Sequence, residues 1–113
     1  MLIDTARLHL RRAADEVDTH AHAGRRSALT ERARLRMDAA RAMRCARNAV
    51  SPLLDTAGAG SFADGSDLQR PWRDIEAASR HAALSVQTSK EIYGRRSAAP
   101  RCRRARSSER GRR

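Results

Sequence analysis

Apolar residues at the start of the chain recur at alternating steps of three and four positions, and this spacing is the strongest constraint on the fold. The stripe consists of Ile3, Ala6, Leu10, Ala13, Val17 and Ala21. Residues spaced in this way lie along one face of an α-helix, whose repeat is about 3.6 residues. The pattern predicts a helix over about Leu2–Ala23 that ends at Gly24.

A second apolar segment predicts a longer helix that is covered on two sides. Thr30 is the predicted N-cap, and the helix is expected to continue to about Ala57. Its two apolar flanks are Leu35, Ala39, Ala42, Ala46, Ala49 and Leu53, and Met37, Ala40, Val50 and Leu54. Such a helix takes a central position in a bundle or lies at a subunit interface. Pro52 removes one backbone donor and should bend the last turns.

The rest of the folded part is also predicted to be helical. A third helix begins after Ser66 or Asp67 and has a packed face of Leu68, Trp72, Ile75, Ser79 and Ala82. A final short helix, "VQTSKEIYGR", is expected to end at Gly94. We therefore predict an all-α fold, an antiparallel helical bundle over residues 1–94, followed by a disordered basic tail over residues 95–113.

The net charge of +11 is concentrated in that tail. Residues 1–94 contain 15 basic and 12 acidic residues, whereas residues 95–113 contain nine arginines and one glutamate. A body that is nearly balanced argues against a nucleic-acid-binding fold, because such folds gather positive charge on one face. Binding of nucleic acid through the tail alone is the alternative function for a small basic helical protein.

Cysteine use and hydropathy indicate a cytoplasmic protein. The two cysteines, Cys45 and Cys102, do not form a disulfide framework and are expected to be reduced thiols. No apolar run approaches the roughly 20 residues that a membrane span needs, and the N-terminus has no signal-peptide core. We therefore expect no membrane association.

The segment "GAGSFADGSD", residues 58–67, separates the second and third helices. One interpretation is a helix cap followed by a flexible connection. The other is a backbone surface for an anionic ligand, because glycine lets the main chain approach closely. The segment matches neither a P-loop nor a dinucleotide fingerprint, so both interpretations stay open.

Three histidines are candidate site residues. His20 and His22 are two positions apart on a helix and face different directions, which makes them a poor metal pair. His81 follows Asp74 by about two helical turns, or about 10 Å, so the two cannot form a direct pair on one straight helix. His81 is therefore either a surface or capping residue or a catalytic group whose partner comes from elsewhere.

The stretch "AGAGSFADGSDLQRPWRDIEAASRHAALSVQTSKEIYGR" resembles the C-terminal end of flavin-dependent monooxygenases that have the acyl-CoA dehydrogenase fold. In that family a Gly- or Ala-rich turn with serine precedes an "LQR-x-W/Y-RD" helix, and a histidine follows the aspartate by seven residues. The chain then closes on an end like "YGR". The two preceding helices fit the family's helical hairpin, so the resemblance covers about Leu2–Gly94.

The resemblance implies a two-component monooxygenase. A separate reductase would supply reduced flavin, usually FMN and otherwise FAD, and the oxygenase would transfer one atom of dioxygen to an aromatic or organosulfur substrate. His81 matches the active-site histidine, which would accept a substrate proton or hydrogen-bond the flavin hydroperoxide. Gly58, Ala59, Gly60 and Ser61 match a turn that approaches flavin bound largely by a neighbouring subunit. Trp72, Arg73 and Asp74 are expected to hold the third helix against the bundle.

The resemblance also implies limits. "SRHAALS" occupies the place of the catalytic-glutamate motif of acyl-CoA dehydrogenases, which disfavours simple acyl-CoA dehydrogenation. The family's N-terminal helical domain and β-barrel are missing from this sequence, and an enzyme needs its groups to converge on one pocket. The chain is therefore expected to act as a C-terminal part of a homo-oligomer resembling the family's tetramer. Alone, it is expected neither to bind flavin nor to catalyse.

Overall fold

The computed structural model describes residues 1–98, and its regular elements are helices. The α-helices are α1 (Leu2–His22), α2 (Leu29–Ala57), α3 (Gln69–Ser79) and α4 (Val86–Ala98). Two short 3₁₀ helices, Ala59–Phe62 and Ala82–Leu84, lie before and after α3. The predicted all-α bundle is confirmed. None of the helices within residues 1–98 has the length and apolar character that crossing a bilayer requires.

α1 packs antiparallel to the N-terminal half of α2. His9 of α1 contacts Asp38 of α2, and Glu16, two turns further along α1, contacts Arg34, which precedes Asp38 in α2. The residue numbers of these contacts increase along α1 and decrease along α2, so the two helices are antiparallel. The buried apolar side chains of the described bundle are small except for one leucine: Ala6, Ala33, Ala40, Ala42 and Leu54.

α2 is the central helix, as one of the two sequence interpretations predicted, because the other three helices all pack against it. Arg47 Nε donates to the Glu76 carboxylate of α3 at 2.7 Å. Arg36, three turns earlier in α2, donates to the carbonyl of Ala82, just after α3, also at 2.7 Å. α3 therefore runs antiparallel to α2. α4 contributes Ser89, which is fully buried.

The alanine core leaves large apolar side chains uncovered. On α1 the predicted stripe is covered by α2 at Ala6, whereas Ile3, Leu10 and Val17 remain 43%, 53% and 50% exposed. Alanine side chains bury little area, so the hydrophobic stabilisation of this bundle is small for its length. An apolar edge of this kind is suited to contact with another protein surface.

Several helix limits differ from the prediction. α2 begins at Leu29 with Ala28 as its N-cap, not at Thr30, because the Glu31 carboxylate accepts the Ala28 N–H at 2.6 Å. α4 continues through Gly94 to Ala98, so residues 95–98 are helical and not part of a disordered tail. Residues 99–113, which include the rest of the predicted tail and Cys102, lie outside the described part. Cys45 is a half-buried free thiol in α2.

Candidate functional site

His81 lies in a turn, which we call the His81 turn (residues His81–Leu84), and not on α3. α3 ends at Ser79, and His81 is the N-cap of the following 3₁₀ helix. Its ring Nδ1 accepts a hydrogen bond from the backbone N–H of Ala83 at 3.2 Å. The side chain is exposed. His81 is therefore an exposed capping residue, as one of the two sequence interpretations predicted, and its catalytic role stays a prediction.

The second predicted site segment forms what we call the Gly58 turn (residues Gly58–Phe62). Gly58 ends α2 with φ +68° and ψ −165°, a conformation that favours glycine, and its N–H donates to Leu54 O at 2.9 Å. Ser61 is buried, and its hydroxyl donates to the Gly58 carbonyl at 2.8 Å. Gly58, Ala59 and Gly60 are exposed. Ser61 thus holds the turn from inside, while the other three residues present backbone to the outside.

Within one chain the two turns are far apart. The His81 turn is attached to α2 at Arg36, whereas the Gly58 turn follows the last residue of α2, Ala57. A rise of about 1.5 Å per residue over this part of α2 corresponds to about 30 Å. The structure therefore does not bring His81 and residues 58–61 of the same chain into one site.

A cavity of about 210 Å³ lies between α2 and α3, nearer the Gly58 turn than the His81 turn. Its lining residues are Arg47, Asn48, Val50, Ser51, Leu54, Trp72, Ile75 and Glu76. Trp72 packs edge-on against Phe62 of the Gly58 turn, with ring centroids 5.0 Å apart. Trp72 therefore holds α3 against the bundle as predicted. Arg73 and Asp74 are exposed and do not share that role.

Ionic groups stabilise the arrangement of α2 and α3. The Glu76 carboxylate of α3 accepts from Arg47 of α2 and from Arg80 one turn further along α3. Hydrogen bonds from Arg47 and then Arg80 lower the pKa of Glu76 below its ordinary value, so the carboxylate stays ionised in mild acid.

A buried ionic cluster between α1 and α2 was not foreseen from the sequence. Asp38 is only 2% exposed. Its carboxylate contacts His9 Nδ1 at 2.9 Å and accepts from Arg12 Nε at 3.1 Å, with a second bond from the Arg12 guanidinium. The signal available in the sequence was an aspartate between the two apolar flanks of α2. The cluster joins α1 to α2 and is remote from the Gly58 turn.

A further polar group at the α1–α2 connection consists of Glu16, His20 and Glu31, whose ligand atoms lie within 4.8 Å of one another. Arginines already pair with both carboxylates: Arg34 with Glu16, and Arg25 with Glu31. The hydrogen bond with Glu16 raises the pKa of Arg34, and the bond from Arg25 lowers the pKa of Glu31. Two guanidinium groups repel a cation, so this cluster is a set of ion pairs and not a metal site.

The helical hairpin, the α3 helix with Trp72 at its packed face, and the exposed histidine after it together define a class of domain. The chain belongs to the family described as "Acyl-CoA dehydrogenase, C-terminal domain", whose model matches residues 1–86. The resemblance stated from the sequence is confirmed, as is the predicted helical architecture.

Two similar proteins are named as an oxygenase subunit and a hydroxylase. The chain is 38% identical over 63 residues to the flavin-dependent monooxygenase oxygenase subunit HsaA of Rhodococcus jostii (strain RHA1), covering 56% of this chain and 16% of HsaA. It is 32% identical over 65 residues to a pigment production hydroxylase of Rhodococcus sp. (strain ATCC 21145), covering 58% of this chain and 17% of the hydroxylase. The chain thus spans about a sixth of the length of these two relatives.

A solved structure gives a similar result. XiaF from Streptomyces sp., in complex with FADH2 and glycerol, superposes with a TM-score of 0.77 and 39% identity. The match covers 83% of this chain and 24% of the XiaF chain. At this identity the likeness extends beyond the general fold. These comparisons give no support to the alternative of nucleic-acid binding through residues 95–113.

Proposed function

We propose that the chain is the C-terminal helical part of a flavin-dependent monooxygenase that uses reduced flavin and dioxygen on a small aromatic or organosulfur substrate. The likeness to XiaF, at 39% identity over 83% of this chain, carries the proposal because that structure holds FADH2. Two relatives with oxygenase or hydroxylase activity in their names support it. The cavity between α2 and α3 is not lined by His81, and the chain spans about a sixth of its oxygenase and hydroxylase relatives, so the proposed activity requires the remainder of an oxygenase.

His81 is the proposed catalytic residue. Reduced flavin would supply the electrons that activate dioxygen. The exposed imidazole of His81 follows a helix end and has its Nδ1 occupied by the Ala83 N–H, which leaves Nε2 available to the reacting groups. An imidazole in this position can orient the substrate or stabilise charge on the oxygen being transferred.

Gly58, Ala59 and Gly60 are the proposed flavin-facing residues, with Ser61 supporting them from inside the turn. A Cβ added at Gly58 or Gly60 would meet no atom within 4 Å, so the turn is open on its outer side. A surface of exposed backbone amides can approach a polar ring edge or a phosphate closely. The turn fits one wall of a flavin site, and the other walls would come from other parts of the assembly.

The distance between the two turns supports a homo-oligomer. In our proposal, the Gly58 turn of one chain faces flavin held largely by a neighbouring subunit, while His81 serves a different flavin site. The exposed side chains of Ile3, Leu10 and Val17 provide an apolar edge for such contacts. A tetramer is the assembly that the family resemblance suggests.

A separate flavin reductase is the second proposed partner. HsaA is described as an oxygenase subunit, which is consistent with a reductant supplied from another protein. We propose FADH2 as the flavin to test first, because XiaF holds it, with FMNH2 as the comparison.

The proposal is tested with a chimera in which residues 1–94 replace the matching segment of HsaA, whose name gives it a flavin-dependent monooxygenase activity. We expect the chimera to oxygenate the HsaA substrate when a reductase supplies reduced flavin. His81→Ala should lower kcat by about 100-fold or more, the usual scale for loss of a positioned acid–base group. His22→Ala, which removes an exposed histidine of α1, is the matched control and should leave kcat unchanged.

A folded chimera whose His81→Ala variant keeps full activity would refute the role of His81. A folded chimera that binds no reduced flavin would refute the function itself. The 113-residue chain alone, assayed with the same reductase, is expected to give no product.

A further inference from the structure

The peptide unit between Ala82 and Ala83 is held from both ends. Its carbonyl oxygen accepts a hydrogen bond from the Arg36 guanidinium at 2.7 Å. Its N–H donates to His81 Nδ1 at 3.2 Å. Because a peptide unit is planar, fixing the direction of its C=O also fixes the direction of its N–H. Arg36 and the imidazole are thus connected through one rigid group.

Arg36 is the attachment of this turn to the central helix. The other hydrogen bonds of the turn are local: His81 N–H to Ala78 O at 3.0 Å, and Leu84 N–H to His81 O at 2.8 Å. Among residues 1–98, the bond from Arg36 is the hydrogen bond that links the His81 turn to α2.

One nitrogen of the Arg36 side chain is buried in a way that lowers the stability of the fold. Its Nε is buried and has no hydrogen-bond partner within the described part of the chain. A buried donor without a partner is destabilising, so an arginine here is poorly explained as a packing residue. The hydrogen bond from Arg36 to the Ala82 carbonyl gives this arginine a structural role in the His81 turn. A cationic donor at a peptide oxygen also polarises the peptide and strengthens the N–H as a donor.

The bond to Nδ1 determines which ring nitrogen carries the proton. A backbone N–H can only donate, so Nδ1 must accept and is unprotonated. A neutral imidazole then has its proton on Nε2, the nitrogen that the exposed ring offers to a ligand. In this tautomer Nε2 is a hydrogen-bond donor and not a base.

We infer that Arg36 is a positioning residue, which acts through the Ala82–Ala83 peptide to hold His81 in the Nε2–H tautomer. His81 would accordingly serve as a donor to the oxygen being transferred and not as the acceptor of a substrate proton. This catalytic meaning rests on the proposed function, whereas the tautomer and its dependence on Arg36 do not.

The test is ¹⁵N NMR of the imidazole groups in the labelled 113-residue chain at about pH 8.5, where a histidine of ordinary pKa is neutral. His81→Gln identifies the His81 signals. We expect Nε2 to be protonated and Nδ1 to be unprotonated in the wild type. Arg36→Met should shift the tautomer ratio towards Nδ1–H by about two- to tenfold, the scale of one ordinary hydrogen bond. Arg36→Lys should restore most of the bias.

Arg47→Met is the matched control, because it removes another α2 arginine that contacts the chain near α3 but leaves the His81 turn untouched. It should not change the His81 ratio. The signals of His20 and His22 should stay constant in all variants, since both lie on α1.

A wild-type ring without an excess of Nε2–H, or a folded Arg36→Met variant with the wild-type ratio, would overturn the inference. Should Arg36→Met fail to fold, exchange of the Ala83 amide in the wild type decides the question: protection that is lost in His81→Gln supports it, and an unprotected amide overturns it. Failure of the proposed function has a different signature, because a chimera that does not need His81 would leave these spectra unchanged.

Discussion

Replacing Asp38 with alanine should destabilise the chain by about 2–3 kcal/mol. The Asp38 side chain is 3% exposed and is hydrogen-bonded to both His9 and Arg12. Removing one member of a buried ionic cluster costs about 3–5 kcal/mol when its partners remain buried. Arg12 is 54% exposed and can turn to solvent, so the expected loss falls below that range. The His9 side chain is only 23% exposed, so it regains less hydration than Arg12 after the loss of Asp38.

The assay is urea unfolding of the 113-residue chain, followed by circular dichroism at a helical wavelength. With a slope of about 1–3 kcal/mol per molar urea, the expected loss moves the midpoint down by about 0.7–3 M. Asp55→Ala, which removes an exposed carboxylate from the same helix, is the control and should shift it by little. Equal midpoints for Asp38→Ala and the wild type would show that the cluster does not hold α1 to α2.

Two further predictions concern α2 and its neighbours. Gly58→Ala should lower the free energy of unfolding by about 1–2 kcal/mol in the same urea assay, because the φ of Gly58 is +68° and an added Cβ would meet no other atom. Gly60 has no positive φ, so Gly60→Ala should leave the free energy of unfolding nearly unchanged. Equal effects of the two substitutions would refute this explanation. The folded pKa of Glu76 is lowered by Arg47 and Arg80, so its stabilisation is present above the unfolded value near 4.5 and is lost as the pH falls through the folded pKa. Glu76→Gln should therefore flatten the decline of Tm between about pH 5 and pH 3, and an unchanged slope would contradict the assignment.

The helices were predictable because their apolar spacing is a local property of the chain. The steps of three and four residues predicted the C-terminal end of α1 to within one residue. The two apolar flanks of α2 indicated that this helix is central. The start of α2 was missed because Glu31, and not a side chain at the N-cap, satisfies the first free N–H group. α4 continues past the predicted end because the φ of Gly94 is not positive, so this glycine does not adopt the left-handed conformation that ends a helix.

The site was less predictable because its geometry depends on contacts between distant parts of the sequence. Arg36 and Ala82 are 46 residues apart, and His9 and Asp38 are 29 apart. In a single sequence, Arg36 is one of several arginines scattered around α2, and Asp38 is one polar position between apolar flanks. Only the packing of α1 and the His81 turn on α2 distinguishes these residues from solvated ones. The placement of His81 after the end of α3 likewise depends on where the chain turns back towards Arg36.

The length of α2 has a consequence for the proposed enzyme. Because the two turns attach to α2 at points about 30 Å apart along the helix axis, we propose that they serve different flavin sites. In the proposed oligomer each chain would contribute a Gly58 turn to one site and a His81 to another. A rigid helix then fixes the spacing between sites as well as the position of each group, and Arg36 attaches His81 to that helix. In this proposal neighbouring subunits complete both sites, so oligomer formation and the geometry of the His81 turn would serve the same function.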